Sequence, residues 1–140
     1  EDILAQIVQH RVRAGFDGES ASILVGDLNI APLEHDVWSH KQLLNVVSHT
    51  PIETAGLEAM RTGGGWADLM RHNVPHEQKL YTWWSYRAQD WAASDSGRRL
   101  DHIWSSPNMI GNLAEIEILR EARGWDRPSD HVPVIMRLAE

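Results

Sequence analysis

The sequence predicts a single domain of mixed α/β class, a layered fold with a mostly antiparallel sheet and helices on one face. Three observations carry that reading. A length of 140 residues with 42% hydrophobic content is enough for one compact core. Helical patterns come first and strand patterns dominate later, whereas a regular βαβ series alternates them throughout. No internal repeat, low-complexity tract or linker divides the chain.

Taken in order, residues 2–14 place Ile3, Leu4, Ile7, Val8 and Val12 at helical spacing, and Gly15 ends that helix. Residues 20–26 are short and rich in branched side chains, the pattern of a strand buried on both faces, and the run ends at Asp27. Pro32 and Leu33 lead away through a loop into a helix over 36–47, with Val37, Leu43, Leu44 and Val47 on its apolar side. Thr50-Pro51-Ile52-Glu53 is a capping box with proline at the first helical position, and Gly63-Gly64-Gly65 stops the helix. A brief helix over 66–71 is closed by Pro75. Residues 80–84 have strong β propensity, and after a loop over 87–97 the chain returns as a strand over 99–104. These two strands are expected to pair as a long hairpin. Residues 113–119 alternate Ala114, Ile116 and Ile118 with Glu115 and Glu117, and residues 132–138 form the last strand.

The net charge of −7, from 20 acidic against 13 basic residues, does not advertise a polyanion binder, so any nucleic-acid face must be local. Only Lys41 and Lys79 are lysines, so the remaining basic residues are arginines, suited to planar, bidentate phosphate contacts. No run approaches the roughly 18 apolar residues needed to cross a bilayer, and the first residues lack the pattern of a secretion signal. The absence of cysteine excludes disulfides and thiolate metal sites and suits a reducing cytoplasm. His10, His35, His40, His49, His72, His76 and His102 read as surface or packing residues, with no pair at a zinc-site spacing.

Chemistry concentrates in four short segments: Gly26-Asp27-Leu28-Asn29, Thr82-Trp83-Trp84-Ser85-Tyr86-Arg87, Leu100-Asp101-His102 and Ser129-Asp130-His131. If strand geometry persists through Asp27, its carboxylate and the Asn29 amide share one face. Asp101, between Leu100 and Ile103, needs a partner for its charge, and His131 is the natural one. An Asp accepting from one imidazole nitrogen leaves the other free to move a proton or bind a phosphate oxygen. Asp130 could cap or could ligate a hard cation such as Mg²⁺ or Mn²⁺. Trp38, Trp66 and Trp104 read as core. Trp83 and Trp84 are adjacent in a strand and face opposite ways, which leaves one of them for stacking on a base. Tyr86, Arg87, Trp91, Arg98 and Arg99 add phosphate and base partners.

In this order the segments GDLN, TWWSYR, RRLDHIWSS and PSDHVPV resemble the C-terminal half of the exonuclease III family of AP endonucleases, within the endonuclease/exonuclease/phosphatase superfamily. The resemblance runs from about Ser22 to Leu138. It implies half of a four-layer, DNase I-like α/β sandwich and Mg²⁺-dependent phosphodiester hydrolysis, with Mn²⁺ as the alternative ion. By position it implies Asp27 as proton donor or acceptor, Asn29 on the pentacoordinate phosphate, Asp101 orienting His131, and Asp130 as a metal-site carboxylate. The metal site is then expected among Asp27, Asn29, Asp130 and His131, and DNA contacts among Trp83, Trp84, Tyr86, Arg87 and Arg99. The expected substrate is DNA at abasic sites or 3′ ends, with no membrane partner. The family's N-terminal half, which brings further metal ligands, has no counterpart, so the chain is expected to be a truncation, to bind its other half or to self-associate. Two other functions stay open: a superfamily phosphatase acting on a small or lipid phosphoester, and a non-catalytic half-domain that binds DNA or acts as a scaffold.

Overall fold

The computed structural model describes residues 20–140. The helix expected over 2–14 lies outside them. The class is as expected, mixed α/β with antiparallel sheets. Strand β1 (Ile23–Asp27) pairs with β5 (Asp101–Ser105), which also pairs with the two-residue β2 (Ala67–Asp68), so β5 is the centre of a three-stranded sheet. Two smaller sheets accompany it: β3 (Trp83–Trp84) with β4 (Gly97–Arg98), and β6 (Leu113–Ile118) with β7 (Val134–Leu138). All pairings are antiparallel.

The helix α2 (Pro51–Gly63) begins on the expected capping box, with Thr50 and Glu53 satisfying each other's backbone groups. Its Leu57 packs with Leu24, Trp66 and Trp104 against the sheet. Short helices α1 (His40–Leu43), α3 (Leu69–Asn73) and α4 (Trp91–Ser94) complete the regular structure of the described residues, with three 3₁₀ turns. Among the described residues no helix is long and apolar enough to cross a membrane.

Four expectations need correction. The helix over 66–71 begins only at Leu69, because Ala67 and Asp68 pair with β5. The helix over 36–47 is reduced to a 3₁₀ turn at Glu34–Asp36 and α1, because Asp36 is drawn into the interior by Arg71 and Arg99. Val37 then extends to form a bridge with Arg98. The hairpin between 80–84 and 99–104 does not form. Trp83 and Trp84 pair instead with Arg98 and Gly97, and the chain crosses from β4 to a different sheet at Arg99-Leu100. Strand β1 is not buried on both faces: Leu24 enters the core, while Ile23 and Val25 are 43% and 64% exposed. Since residues two apart share a strand face, Ile23, Val25 and Asp27 form one solvent-facing row. Beside it lies an open groove of about 350 Å³, lined by Val25, Ile103, Val132, Val134 and Met136.

The interior carries charge as well as apolar clusters. The Arg99 guanidinium spans Asp36 Oδ2 at 2.8 Å and Asp68 at 2.9–3.0 Å, and Arg71 completes the network through Asp36 Oδ1 and the carbonyls of Pro75 and Gln78. His102 is also buried. One ring nitrogen bonds the Ile30 carbonyl at 2.8 Å, and burial followed by the Arg99 charge pushes its pKa down.

Candidate active site

The register of β1 against β5 places Asp27 directly opposite Asp101 at the sheet end. Residues opposite one another in an antiparallel pair project to the same side, and two carboxylates there repel. His131 answers both. Its Nδ1 lies 2.8 Å from Asp101 Oδ2 and its Nε2 lies 3.6 Å from Asp27 Oδ2. The first is a hydrogen bond; the second is beyond hydrogen-bond length and leaves Nε2 open to another group. Burial works against the charged imidazole. The Asp101 hydrogen bond and the charges of Asp101, Asp27 and Asp130 outweigh it, and the His131 pKa is raised. The site opens to solvent, with the Asp27 and His131 side chains 48% and 31% exposed.

Thr82 fixes this arrangement and is fully buried. Its hydroxyl donates to Asp101 Oδ2 at 2.6 Å, and its oxygen accepts from the backbone N–H groups of Leu100 at 3.1 Å and Asp101 at 3.2 Å. One Asp101 oxygen therefore receives both Thr82 and His131. The same segment holds the histidine loop: Val132 N–H donates to the Thr82 carbonyl at 2.9 Å and Trp84 N–H to the Asp130 carbonyl at 3.0 Å. Ser129 Oγ accepts from the His131 N–H at 3.1 Å.

Asn29 reaches the site by a turn, which corrects the strand-face expectation. Gly26, at φ +151°, takes a backbone conformation that L side chains rarely adopt, and a Cβ there would meet nothing within 4 Å. After Asp27 the strand ends, and Asn29 sits at φ +56° with its N–H donating to Asp27 Oδ1 at 2.8 Å. This is the local bond by which Asp side chains organise turns. Ser48 approaches from the other side. Its hydroxyl lies 3.4 Å from Asn29 Oδ1, and its N–H donates to both Glu53 oxygens at 3.0 and 3.1 Å. Glu53 thus caps helix α2 and anchors the residue that touches Asn29.

Asp27, Asp101 and His131 are brought together, with the Asn29 N–H bonded to Asp27, and the other candidates divide. The Asp130 carboxylate accepts from the Trp83 indole N–H at 3.0 Å. Among the described residues, Asp27, Asp101 and His131 form the cluster able to face a cation, each offering an atom within 4.8 Å of the others. Trp83 is half-buried and tied to Asp130, so it is not a free stacking platform. Trp84 is in the core, 2% exposed, with its indole N–H on Asp95. Arg99, expected at the DNA surface, is fully buried between Asp36 and Asp68 and cannot touch a phosphate. Tyr86 and Arg87 are exposed, and the Tyr86 hydroxyl donates to the Pro128 carbonyl at 2.8 Å beside the histidine loop. Sequence reasoning passed over Thr82 and Ser48. The signal for Thr82 was a hydroxyl inside an otherwise aromatic strand.

The donors are those of a hard-cation site in type, carboxylate oxygen with one imidazole. Their number falls short of a full shell, and Asp101 already spends an oxygen on Thr82 and His131. The described residues therefore fit one side of a divalent-cation site.

The model of the Endonuclease/Exonuclease/phosphatase family matches residues 3–131. An exodeoxyribonuclease from Bacillus subtilis is 34% identical over 125 residues, spanning 85% of this chain and 45% of that protein. The solved structure of an AP endonuclease from Archaeoglobus fulgidus superposes with a TM-score of 0.84 at 25% identity, over 96% of this chain and 52% of that one. That of a 3′ phosphatase from Neisseria bound to a product DNA hairpin gives 0.85 at 28% identity, over 98% and 52%. The chain spans about half the length of the proteins it matches. A family match over most of the chain, on a fold that gathers Asp27, Asn29, Asp101 and His131 at one sheet end, makes this chain a member of the Endonuclease/Exonuclease/phosphatase family.

Proposed function

We propose that this chain forms one wall of a Mg²⁺-dependent nuclease site that hydrolyses DNA phosphodiesters in repair, cutting at abasic sites and trimming 3′ ends. The observation that carries the reading is the line Asp101–His131–Asp27, 2.8 Å and 3.6 Å between successive groups, at an open sheet end. Asp101 orients the imidazole and favours its charged form, so Nε2 can donate to a non-bridging phosphate oxygen as negative charge develops there. Asp27, held by the Asn29 N–H, handles the proton of the attacking water or the leaving group. Asn29 turns its amide to the phosphate. Asp27, with Asn29 and His131 adjoining, would hold the cation, and a bound Mg²⁺ or Mn²⁺ would supply charge neutralisation at the phosphate. The remaining ligands come from a second half, in the same protein or a partner copy. The relatives' greater length and the exposed Ile23–Val25 face support that completion. The absence of cysteine supports a cytoplasmic setting.

Removal of a 3′ phosphate from a DNA end is a second reading, favoured by the likeness to the Neisseria 3′ phosphatase. The intact protein with Mg²⁺ is expected to nick a duplex carrying one abasic site, and the 140-residue chain alone to show weak turnover or none. A protein that leaves the abasic duplex whole while hydrolysing a soluble phosphoester would refute the nuclease reading.

A further inference from the structure

Arg98 and Arg99 are consecutive, and their environments are opposite. Arg99 has two carboxylates, whereas among the described residues no carboxylate pairs with Arg98. The Arg98 guanidinium lies over the Trp83 ring, 5.2 Å from its centroid, and donates through Nη1 to the Val47 carbonyl at 3.2 Å. Its Nε is buried without a hydrogen-bond partner. Burial, with no opposing anion, pushes its pKa down, which is the mark of a cation short of a counter-ion.

The position is set by cross-strand register. Trp83 is opposite Arg98 on one side and forms a bridge with His131 on the other, so His131, Trp83 and Arg98 make a row across three backbone segments. Opposite residues project to one face, and neighbouring segments lie about 4.8 Å apart, so Arg98 stands roughly 10 Å from His131 along that face. Val47, which receives the guanidinium, precedes Ser48, which touches Asn29. Arg98 is thus bracketed by the histidine side and the asparagine side of the site. With Nη1 on the Val47 carbonyl and Nε buried, Nη2 is the donor that the indole-backed plane leaves for an anion.

We propose that Arg98, stacked on Trp83, binds a phosphate of the substrate strand neighbouring the one being hydrolysed. The inference rests on the nuclease reading. The anion could be an internal phosphodiester or a terminal phosphomonoester, and the substrate arms below separate them.

The test uses the intact protein with Mg²⁺ on duplexes bearing one abasic site. Neutral methylphosphonates replace single phosphates around the scissile bond, and a second substrate set carries or lacks a terminal phosphate. Arg98→Gln is expected to raise KM about tenfold, the worth of one charge-assisted contact, and to reduce the slope of log affinity against log salt by about one. One methylphosphonate position should produce the same loss in the unmodified protein and no further loss in Arg98→Gln. If that position is internal the ligand is a phosphodiester; if only the terminal phosphate behaves so, it is a monoester. An unchanged salt slope, or penalties that add at every position, would overturn the inference while leaving the nuclease reading intact. Failure of the unmodified protein to bind or cut DNA would overturn both. Should Arg98→Gln not fold, Arg98→Lys keeps the charge but loses the stacked fork: it should raise KM at an unchanged salt slope, and an unaltered KM overturns the inference.

Discussion

Two clusters of acidic and basic side chains lie close together in this fold, and they have opposite characters. The Asp36–Asp68–Arg71–Arg99 network is closed to solvent and balanced, two carboxylates against two guanidiniums. Burial alone would raise the Asp68 pKa, but Arg99, His102 and the hydrogen bonds it accepts hold it below the ordinary carboxylate value. Arginine does not release a proton in any accessible range, so this network has one charge state. The Asp27–Asp101–His131 cluster is open and unbalanced, with two carboxylates, Asp130 nearby, and one cation that titrates. The same residue types become architecture where charges cancel and cannot move. They become chemistry where a deficit of positive charge faces solvent and the cation touching the carboxylates is a histidine.

That contrast predicts a separation between activity and stability. In the intact protein His131→Ala or Asp27→Ala should lower DNA cleavage by several orders of magnitude, roughly 4 kcal/mol or more, while thermal melting stays near the parent. Near-parent cleavage would erase the distinction. The converse variant, Arg99→Met, leaves the buried Asp68 without its cation and Asp36 with Arg71 alone, and should cost about 3–5 kcal/mol of stability in denaturant unfolding. A smaller effect belongs to Thr82→Val, which removes a hydroxyl bonded to a charged group. It should lower kcat/KM by about 1.5–3 kcal/mol and shift the His131 titration seen by NMR, a readout that a purely structural threonine would not move.

The pH dependences carry opposite signs. His131 has a raised folded-state pKa, so its stabilising contribution is fully present below about pH 6.5 and is lost as pH rises through the higher folded value. Asp101→Asn should bring the His131 titration back toward the ordinary histidine range, read from its ring protons. Asp68 has a depressed pKa, so its contribution is present above about pH 4 and disappears as pH falls through the lower folded value. Unfolding curves collected across pH should show both limbs, and the acid limb alone should vanish in Asp68→Asn.

The sequence made legible those features whose cause is local. The capping box at Thr50 to Glu53 is one: proline, threonine and glutamate at fixed offsets determine the start of α2 without help from the rest of the chain. The polar segments were legible as a set through their order along the chain, GDLN, TWWSYR, RRLDHIWSS and PSDHVPV. What escaped was governed by long-range partners. Val37 satisfies a helical pattern, but Asp36 bonds to two distant arginines and unwinds it. Trp83 and Trp84 have β propensity, and propensity does not name the partner, so the switch of sheet between Arg98 and Asp101 was invisible. Alternation required Trp83 and Trp84 to face opposite ways, yet it could not say which one enters the core, nor that Asp130 would claim the half-buried Trp83 indole. Arg99 looked like a surface cation because its two counter-ions, Asp36 and Asp68, are far from it in sequence.

Gly26 immediately precedes the Asp27 carboxylate, in a backbone conformation that other residues rarely take, with open space where a side chain would grow. A methyl group there would collide with nothing and touch no substrate. It would instead ask the chain to rotate at the residue that aims Asp27 across at Asp101 and starts the turn to Asn29. In a mutational scan read by activity alone, this position would be scored among the reacting groups, although it has no chemistry of its own. Its contribution is directional, and it would be told apart from Asp27 by Gly26→Ala, which adds a methyl and removes no functional group and should retain more activity than Asp27→Ala.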